Sequence, residues 1–87
     1  MDFDRWKQKR ILVVDDEPGL LQMVVFILNQ DGYTQIKTAG TVREALGVCQ
    51  EWMPELAILD VMLPDGDGFF LFEQMKSFLD IPILFLT

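Results

Sequence analysis

The feature that most constrains the fold of this chain is a pair of short apolar runs that end in aspartate. ILVV at 11–14 leads directly into Asp15 and Asp16, and LAILDV at 56–61 contains Asp60. Unbroken apolar runs of about four to eight residues, rich in β-branched side chains, are typical of strands buried on both faces. Such strands occur in parallel sheets with helices on both sides, so we expect an α/β fold.

The rest of the chain alternates helices with strands. Start and stop signals predict helices from Pro18 to just before Gly32, from Thr41 and its capping-box partner Glu44 to just before Pro54, and from roughly Gly68 to Phe78. A short strand is predicted at 34–39 (TQIKTA), and a last apolar run predicts a strand at 81–87. This βαβαβαβ order gives a doubly wound parallel sheet with right-handed crossovers. Residues 1–10 are expected to form a short, loosely held leader.

Charge and composition argue against several classes of function. The net charge of −7 disfavours nucleic-acid binding by this segment, because phosphate contacts need clustered Lys and Arg. The single cysteine, Cys49, excludes an internal disulfide framework and fits a reducing compartment. Neither a signal peptide nor the apolar run of roughly 20 residues that a membrane helix needs is visible. We therefore expect a cytoplasmic protein without a membrane segment.

The acidic residues indicate a cation site if their strands are neighbours. Parallel strands end at one edge of the sheet, where ligands bind. Asp15, Asp16 and Asp60 would then bring three carboxylates together, and such a cluster resists desolvation unless a cation lies among the oxygens. An all-oxygen site that retains water suits Mg²⁺. In the alternative interpretation each aspartate only begins a loop, but an acid pair and a third acid, each after an apolar run, favour the metal site.

Three motifs carry a resemblance to a known family. ILVVDDE, LAILDVMLPDGDGF and PILFLT resemble, in this order and with this spacing, the receiver domain of bacterial two-component response regulators. The match spans residues 11–87, almost everything after the leader. The resemblance implies a flavodoxin-like, doubly wound parallel sheet and a role as a phosphoacceptor in signal transduction.

The resemblance also implies a role for each matching residue. Asp60 would be the phosphoacceptor, which takes a phosphoryl group from a phosphohistidine on a sensor histidine kinase. Asp15 and Asp16 would hold Mg²⁺ together with Asp60, and Met62 would contribute its backbone carbonyl. Thr87 would be the switch hydroxyl that closes onto the phosphoryl oxygens.

The chain departs from the family pattern at its end. A whole receiver has five strand–helix units, whereas this chain ends with the fourth strand, so the expected strand order is 2-1-3-4. The fourth helix, the fifth strand with its Lys, and the fifth helix are missing. We therefore expect a truncated receiver whose phosphorylation is impaired. The open edge of the fourth strand and the uncovered sheet face also predict self-association with a second copy.

Two other functions compete with the signalling role. One is a self-associating interaction module that keeps the receiver framework but transfers little or no phosphate. The other is a Mg²⁺-dependent phosphatase, which would need an acid two residues beyond the nucleophile, where this chain has Met62. We therefore expect no enzyme.

Three smaller features have simpler interpretations. DGDG at 65–68 resembles part of a calcium loop but lacks the remaining ligands of an EF-hand. Cys49 lies on the apolar stripe of its helix, which predicts a core residue and not a nucleophile. The aromatic-rich run at 69–72 is expected to contribute either to the core or to an exposed contact surface.

Overall fold

The structure is a computed structural model, which describes the chain from residue 3 to residue 86 and its side chains from residue 5 onward. The helices are α1 (Phe3–Lys7), α2 (Pro18–Gln30), α3 (Val42–Trp52) and α4 (Gly68–Lys76). The strands are β1 (Ile11–Val14), β2 (Ile36–Ala39), β3 (Leu56–Asp60), β4 (Met62–Leu63), β5 (Gly66–Asp67) and β6 (Ile83–Leu86). The predicted helices and main strands are all present, and their ends lie within a few residues of those expected.

Four of the strands form one parallel sheet in the order β2-β1-β3-β6. This is the predicted 2-1-3-4 order of a flavodoxin-like sheet, with β6 as its fourth strand. The register places Val14 beside Leu59, and Asp60 beside Leu86. The carboxyl ends of β1, β3 and β6 therefore lie at the same edge, where the loops that follow them begin.

The main core lies between the sheet and the helices α3 and α4. Leu12, Val14 and Leu59 are fully buried in it together with Leu71 and Met75 from α4. The two β1 residues are separated by one position, because successive side chains of a strand point to opposite faces. This close packing fixes β1 and β3, the two strands that carry the acidic residues.

Helix α2 lies over the opposite face and packs more loosely. Lys37 Nζ lies 5.2 Å from the centre of the Trp52 ring on α3, so the neighbouring Ile36 faces away from α3. Ile36 of β2 and Val25 of α2 line an open cavity of about 630 Å³, which Val48 of α3 also lines. Although apolar residues recur along α2 at helical spacing, none of them is buried, and Phe26 is 62% exposed. Helix α2 therefore contributes less to the core than its sequence pattern indicates.

The leader is more ordered than the sequence predicts. Residues 3–7 form the short helix α1, and the residues after it bond to the chain around the end of α3. The Arg10 guanidinium donates to the carbonyl oxygens of Trp52 at 3.1 Å and Met53 at 2.7 Å. Glu55 accepts from Lys9 Nζ at 3.2 Å. A cation at the carboxyl end of a helix is favourable, because the last carbonyl groups of the helix lack partners within it.

Local signals set the ends of α2 and α3 as predicted. Thr41 Oγ1 accepts the N–H of Glu44 at 3.0 Å, which caps the start of α3. Gly32 follows the end of α2 with φ at +96°, a conformation that glycine adopts at little cost.

None of the helices in the described range combines the length and the hydropathy needed to cross a membrane.

Candidate metal centre

Three carboxylates meet at the edge of the sheet where β1 and β3 end. Asp15 and Asp16 follow β1 directly, and Asp60 is the last residue of β3. Because the two strands are paired, one carboxylate oxygen from each residue lies within 4.8 Å of the other two. The convergence expected from the sequence is therefore confirmed, whereas the chemical role of each side chain stays a prediction.

Backbone hydrogen bonds orient two of the three carboxylates. Asp15 is 4% exposed, and its Oδ1 accepts the N–H of Glu17 at 2.8 Å. Asp60 is half-buried, and its Oδ1 accepts the N–H of Met62 at 3.3 Å. Asp16 is exposed to solvent. The cluster thus has a buried, oriented inner side and an outer side that solutes can reach.

The buried carboxylate of Asp15 is electrostatically unfavourable without a cation. Burial raises the pKa of Asp15, the hydrogen bond from the Glu17 N–H lowers it, and the negative charges of Asp60 and Asp16 raise it further. A raised folded-state pKa means that ionising Asp15 lowers the free energy of unfolding as the pH rises through that pKa. A cation bound among the three carboxylates would offset this cost.

The donor set fits Mg²⁺. All three ligand atoms are carboxylate oxygens, which Mg²⁺ prefers, and the exposed side leaves room for the water molecules that this ion retains. Adjacent ligands of an octahedral ion with bonds of about 2.1 Å lie roughly 3 Å apart, so small side-chain movements would bring oxygens that already lie within 4.8 Å of one another to that spacing. Among the described residues, these three form the one acidic cluster with such a geometry.

Two further residues of the predicted site, Met62 and Thr87, are not part of the acidic cluster. Met62 lies two residues beyond Asp60 and its side chain is 78% exposed, so a contribution from this residue would come from its backbone. Its carbonyl as a ligand stays a prediction. Thr87, the predicted switch hydroxyl, lies outside the described residues, although the preceding residue, Leu86, is paired with Asp60.

The loop after Asp60 is a small hairpin. β4 and β5 pair in antiparallel fashion, and the Gly68 N–H donates to the Val61 carbonyl at 2.7 Å. A Cβ atom at Gly68 would overlap the carbonyl oxygen of Asp60. Position 68 therefore has to be glycine because the start of α4 packs directly against the backbone of Asp60.

Sequence reasoning missed the role of Asp65 at the tip of this hairpin. Its Oδ1 accepts the N–H of Val42 at 2.7 Å, and its Oδ2 accepts the N–H of Arg43 at 3.1 Å. The backbone N–H of Val42 is the main cause that holds the pKa of Asp65 below its usual range. No local pattern predicts this contact, since its partners lie 23 and 22 residues away in sequence.

The structure agrees with the simpler interpretations of the smaller features. Cys49 is fully buried, and burial raises the pKa of its thiol to about 11, as expected for a core residue that is not a nucleophile. In the DGDG segment, Asp67 caps α4 by accepting the N–H of Phe70 at 2.7 Å. Phe70 is 52% exposed, whereas Leu71 is fully buried, so the aromatic-rich run contributes to both the surface and the core.

Comparison with known proteins adds independent evidence. Residues 11–87 match the family model described as the response regulator receiver domain. The chain is 40% identical over 80 residues to a protein of Cyanophora paradoxa named probable transcriptional regulator ycf27, and 35% identical over 80 residues to the DNA-binding response regulator MtrA of Mycolicibacterium smegmatis. Each alignment covers 92% of this chain, but 33% and 35% of those proteins, respectively. The chain thus spans about a third of the length of these relatives.

Solved structures show the same fold. The non-phosphorylated HemR receiver domain from Leptospira biflexa superimposes with a TM-score of 0.82 at 41% sequence identity. The match covers 92% of this chain and 64% of that domain. This chain therefore has the fold of a solved receiver domain.

Proposed function

Because this chain belongs to the response regulator receiver domain family, we propose that it is a phosphoacceptor module of two-component signalling. In this proposal Asp60 accepts a phosphoryl group from a phosphohistidine on a sensor histidine kinase. Asp15, Asp16 and Asp60, with the backbone carbonyl of Met62, hold Mg²⁺. The module is not an enzyme in its own right, and we expect it to act in the cytoplasm.

The observation that carries the proposal is the meeting of three carboxylates at the carboxyl edge of a receiver fold. The residues come from two separate strands, and their ligand oxygens lie within 4.8 Å of one another. Asp60 is half-buried at this edge, so one side chain can both share the cation and meet an incoming phosphoryl donor. An acid that merely began a loop would not need partners from a distant strand.

The proposed reaction transfers the phosphoryl group without net redox change. A carboxylate oxygen of Asp60 attacks the phosphorus, the bond between phosphorus and the imidazole nitrogen breaks, and its electron pair returns to the imidazole. The Met62 N–H holds Oδ1 of Asp60 at 3.3 Å, which orients the carboxylate. Asp15 is held by the Glu17 N–H, so the inner wall of the site is preorganised. Bound Mg²⁺ supplies charge neutralisation where two anions must approach one another.

Phosphorylation in solution tests the proposal directly. Incubation with acetyl phosphate and Mg²⁺, followed by mass spectrometry of the intact protein, should give an adduct of one phosphoryl group. The adduct should be absent when Mg²⁺ is removed with EDTA, because the approach of two anions then lacks a counter-charge. A folded chain that never gains this mass with Mg²⁺ present would contradict the proposal. The impaired phosphorylation expected from the sequence would lower the fraction of chains that carry the phosphoryl group, and the same spectra measure that fraction.

Self-association is the second function that we propose for this segment. In the part of the chain that the structure describes, β6 pairs with β3 alone, and Leu84 at its centre is 57% exposed. Leu84 lies beside Ile58 in the register, and Ile58 is itself only partly buried. Strand edges and neighbouring apolar side chains of this kind favour pairing with another chain.

A charge on β6 should disrupt such association. We expect Leu84→Lys to shift the chain from dimers towards monomers, because a lysine on an edge strand opposes pairing with a second strand. Met23→Lys is the matched control, since Met23 is 54% exposed but lies on α2. Light scattering at micromolar concentration measures the mass. A folded wild-type chain that stays strictly monomeric would contradict this second proposal.

A further inference from the structure

The hairpin after Asp60 is fastened to a separate part of the fold by one side chain. Asp65, between β4 and β5, accepts two backbone N–H groups of the first turn of α3, those of Val42 and Arg43. The two bonds, of 2.7 and 3.1 Å, engage both oxygens of the carboxylate. A bidentate contact with an ionised acceptor fixes direction as well as distance.

The same contact completes the start of α3. The first N–H groups of a helix lack partners within it. Thr41 supplies an acceptor for the N–H of Glu44, and Asp65 supplies acceptors for the two N–H groups that come before. A negative charge is also favourable at this end of the helix dipole. The helix therefore needs a residue from the hairpin to satisfy its first turn.

Both ends of the contact are connected to the metal centre. On one side, Asp65 is five residues beyond Asp60 in a hairpin closed by the Gly68 N–H, which donates to the Val61 carbonyl. On the other side, Val42 is three residues beyond Ala39, whose carbonyl accepts the N–H of Asp15 at 3.0 Å. Asp65 thus joins the segment that carries Asp60 to the segment that lies beside Asp15.

Side-chain packing supports the same attachment. Val42 is 4% exposed, and a Cβ atom at Gly66 in the hairpin would come within 3.2 Å of Val42 Cγ2. The hairpin therefore rests on the side chain of Val42 while Asp65 binds its backbone N–H. The two contacts hold the hairpin in one position against α3.

We propose that Asp65 is a positioning residue for the metal centre, which holds the Asp60 hairpin against α3 and so keeps Asp60 close to Asp15 and Asp16. This inference rests on the proposed function, because it concerns the same three carboxylates. Asp65 itself does not bind the ion: its two oxygens are engaged by Val42 and Arg43, and it is not part of the acidic cluster. It acts through the position of Asp60.

The test is the Mg²⁺ affinity of Asp65→Asn, measured by isothermal titration calorimetry. An asparagine of the same shape retains one acceptor and faces the second N–H with a donor, so one bond is lost. Loss of a residue that orients a metal ligand typically weakens binding by about tenfold or more, and we expect about tenfold here. Amide hydrogen exchange of Arg43 should accelerate in the same variant, because its N–H loses its acceptor.

Two control variants separate positioning from charge and from helix stability. Asp67→Asn removes the same charge from the same hairpin, and asparagine still caps a helix, so this variant should bind Mg²⁺ nearly as well as the wild type. Thr41→Ala removes a cap from α3 and leaves the Asp65 contact intact. It should lower stability without a comparable loss of Mg²⁺ affinity.

The outcomes are distinct for this inference and for the proposed function. A tenfold loss confined to Asp65→Asn supports the positioning role. Wild-type affinity in Asp65→Asn, or an equal loss in either control, would overturn the positioning role alone. A folded wild-type chain without Mg²⁺ affinity would overturn the proposed function and this inference together.

Discussion

Replacement of Asp60 with asparagine is expected to abolish phosphorylation of this chain completely. The amide has nearly the shape of the carboxylate, and its oxygen can still accept the Met62 N–H that Asp60 Oδ1 accepts at 3.3 Å. It is neutral, however, and cannot act as the anionic nucleophile that attacks phosphorus. Asp60→Asn should therefore fold normally and show no phosphoryl adduct after incubation with acetyl phosphate and Mg²⁺.

A control at the other end of the sheet makes this result specific. Asp80 is an exposed acid that lines a small cavity with Trp6 and Pro82. It precedes the amino end of β6, at the edge of the sheet opposite the carboxyl edge. Asp80→Asn removes the same charge and should leave the adduct unchanged. Persistence of the adduct in Asp60→Asn, seen in the intact mass, would assign the modification to another residue and refute the role of Asp60.

Gly68→Ala is expected to be the most destabilising of the small substitutions near the site. Its new methyl group would meet the carbonyl oxygen of Asp60, which is backbone and cannot rotate away. Overpacking at a tight position typically costs about 1–3 kcal/mol of unfolding free energy, and a clash with backbone belongs at the upper end. Urea denaturation should show this loss of unfolding free energy. Calorimetric titration should show weaker Mg²⁺ binding, because relief of the clash moves Asp60.

Gly47→Ala provides the matched control for this substitution. Gly47 lies in the middle of α3, and a Cβ atom there would have no neighbour within 4 Å. Alanine in a helix is about 0.5–1 kcal/mol more stable than glycine, so this variant should raise the unfolding free energy. Equal stability of Gly68→Ala and the wild type would show that the start of α4 does not press on Asp60 as described.

The sheet and the acidic cluster could be predicted because they depend on local patterns. The apolar runs at 11–14 and 56–61 identify buried strands, and parallel strands must end at one edge. Once β1 and β3 are neighbours, Asp15, Asp16 and Asp60 have to meet. The resemblance to receivers placed the two strands side by side, which the apolar runs alone do not determine.

Other features escaped prediction because they arise from contacts between distant residues. Asp65 belongs to the DGDG segment, whose sequence resembled only part of a calcium loop, yet its partners belong to a helix more than 20 residues earlier. The leader was expected to be loose, but Arg10 reaches the carbonyl groups at the end of α3. Periodicity along α2 identified an apolar stripe that includes Ile27, and it could not show that Ile27 remains 58% exposed. Tertiary packing decided each of these cases.

A calorimetric titration of the wild type beside Asp16→Asn measures whether the three carboxylates form one Mg²⁺ site. Asp16 is exposed and outside every strand, so its replacement should not disturb the fold. We expect one Mg²⁺ to bind per wild-type chain and the affinity to fall by about tenfold or more in the variant, since a direct ligand is removed. Absence of binding by the folded wild type, or equal affinity of the two proteins, would mean that these residues do not share an ion.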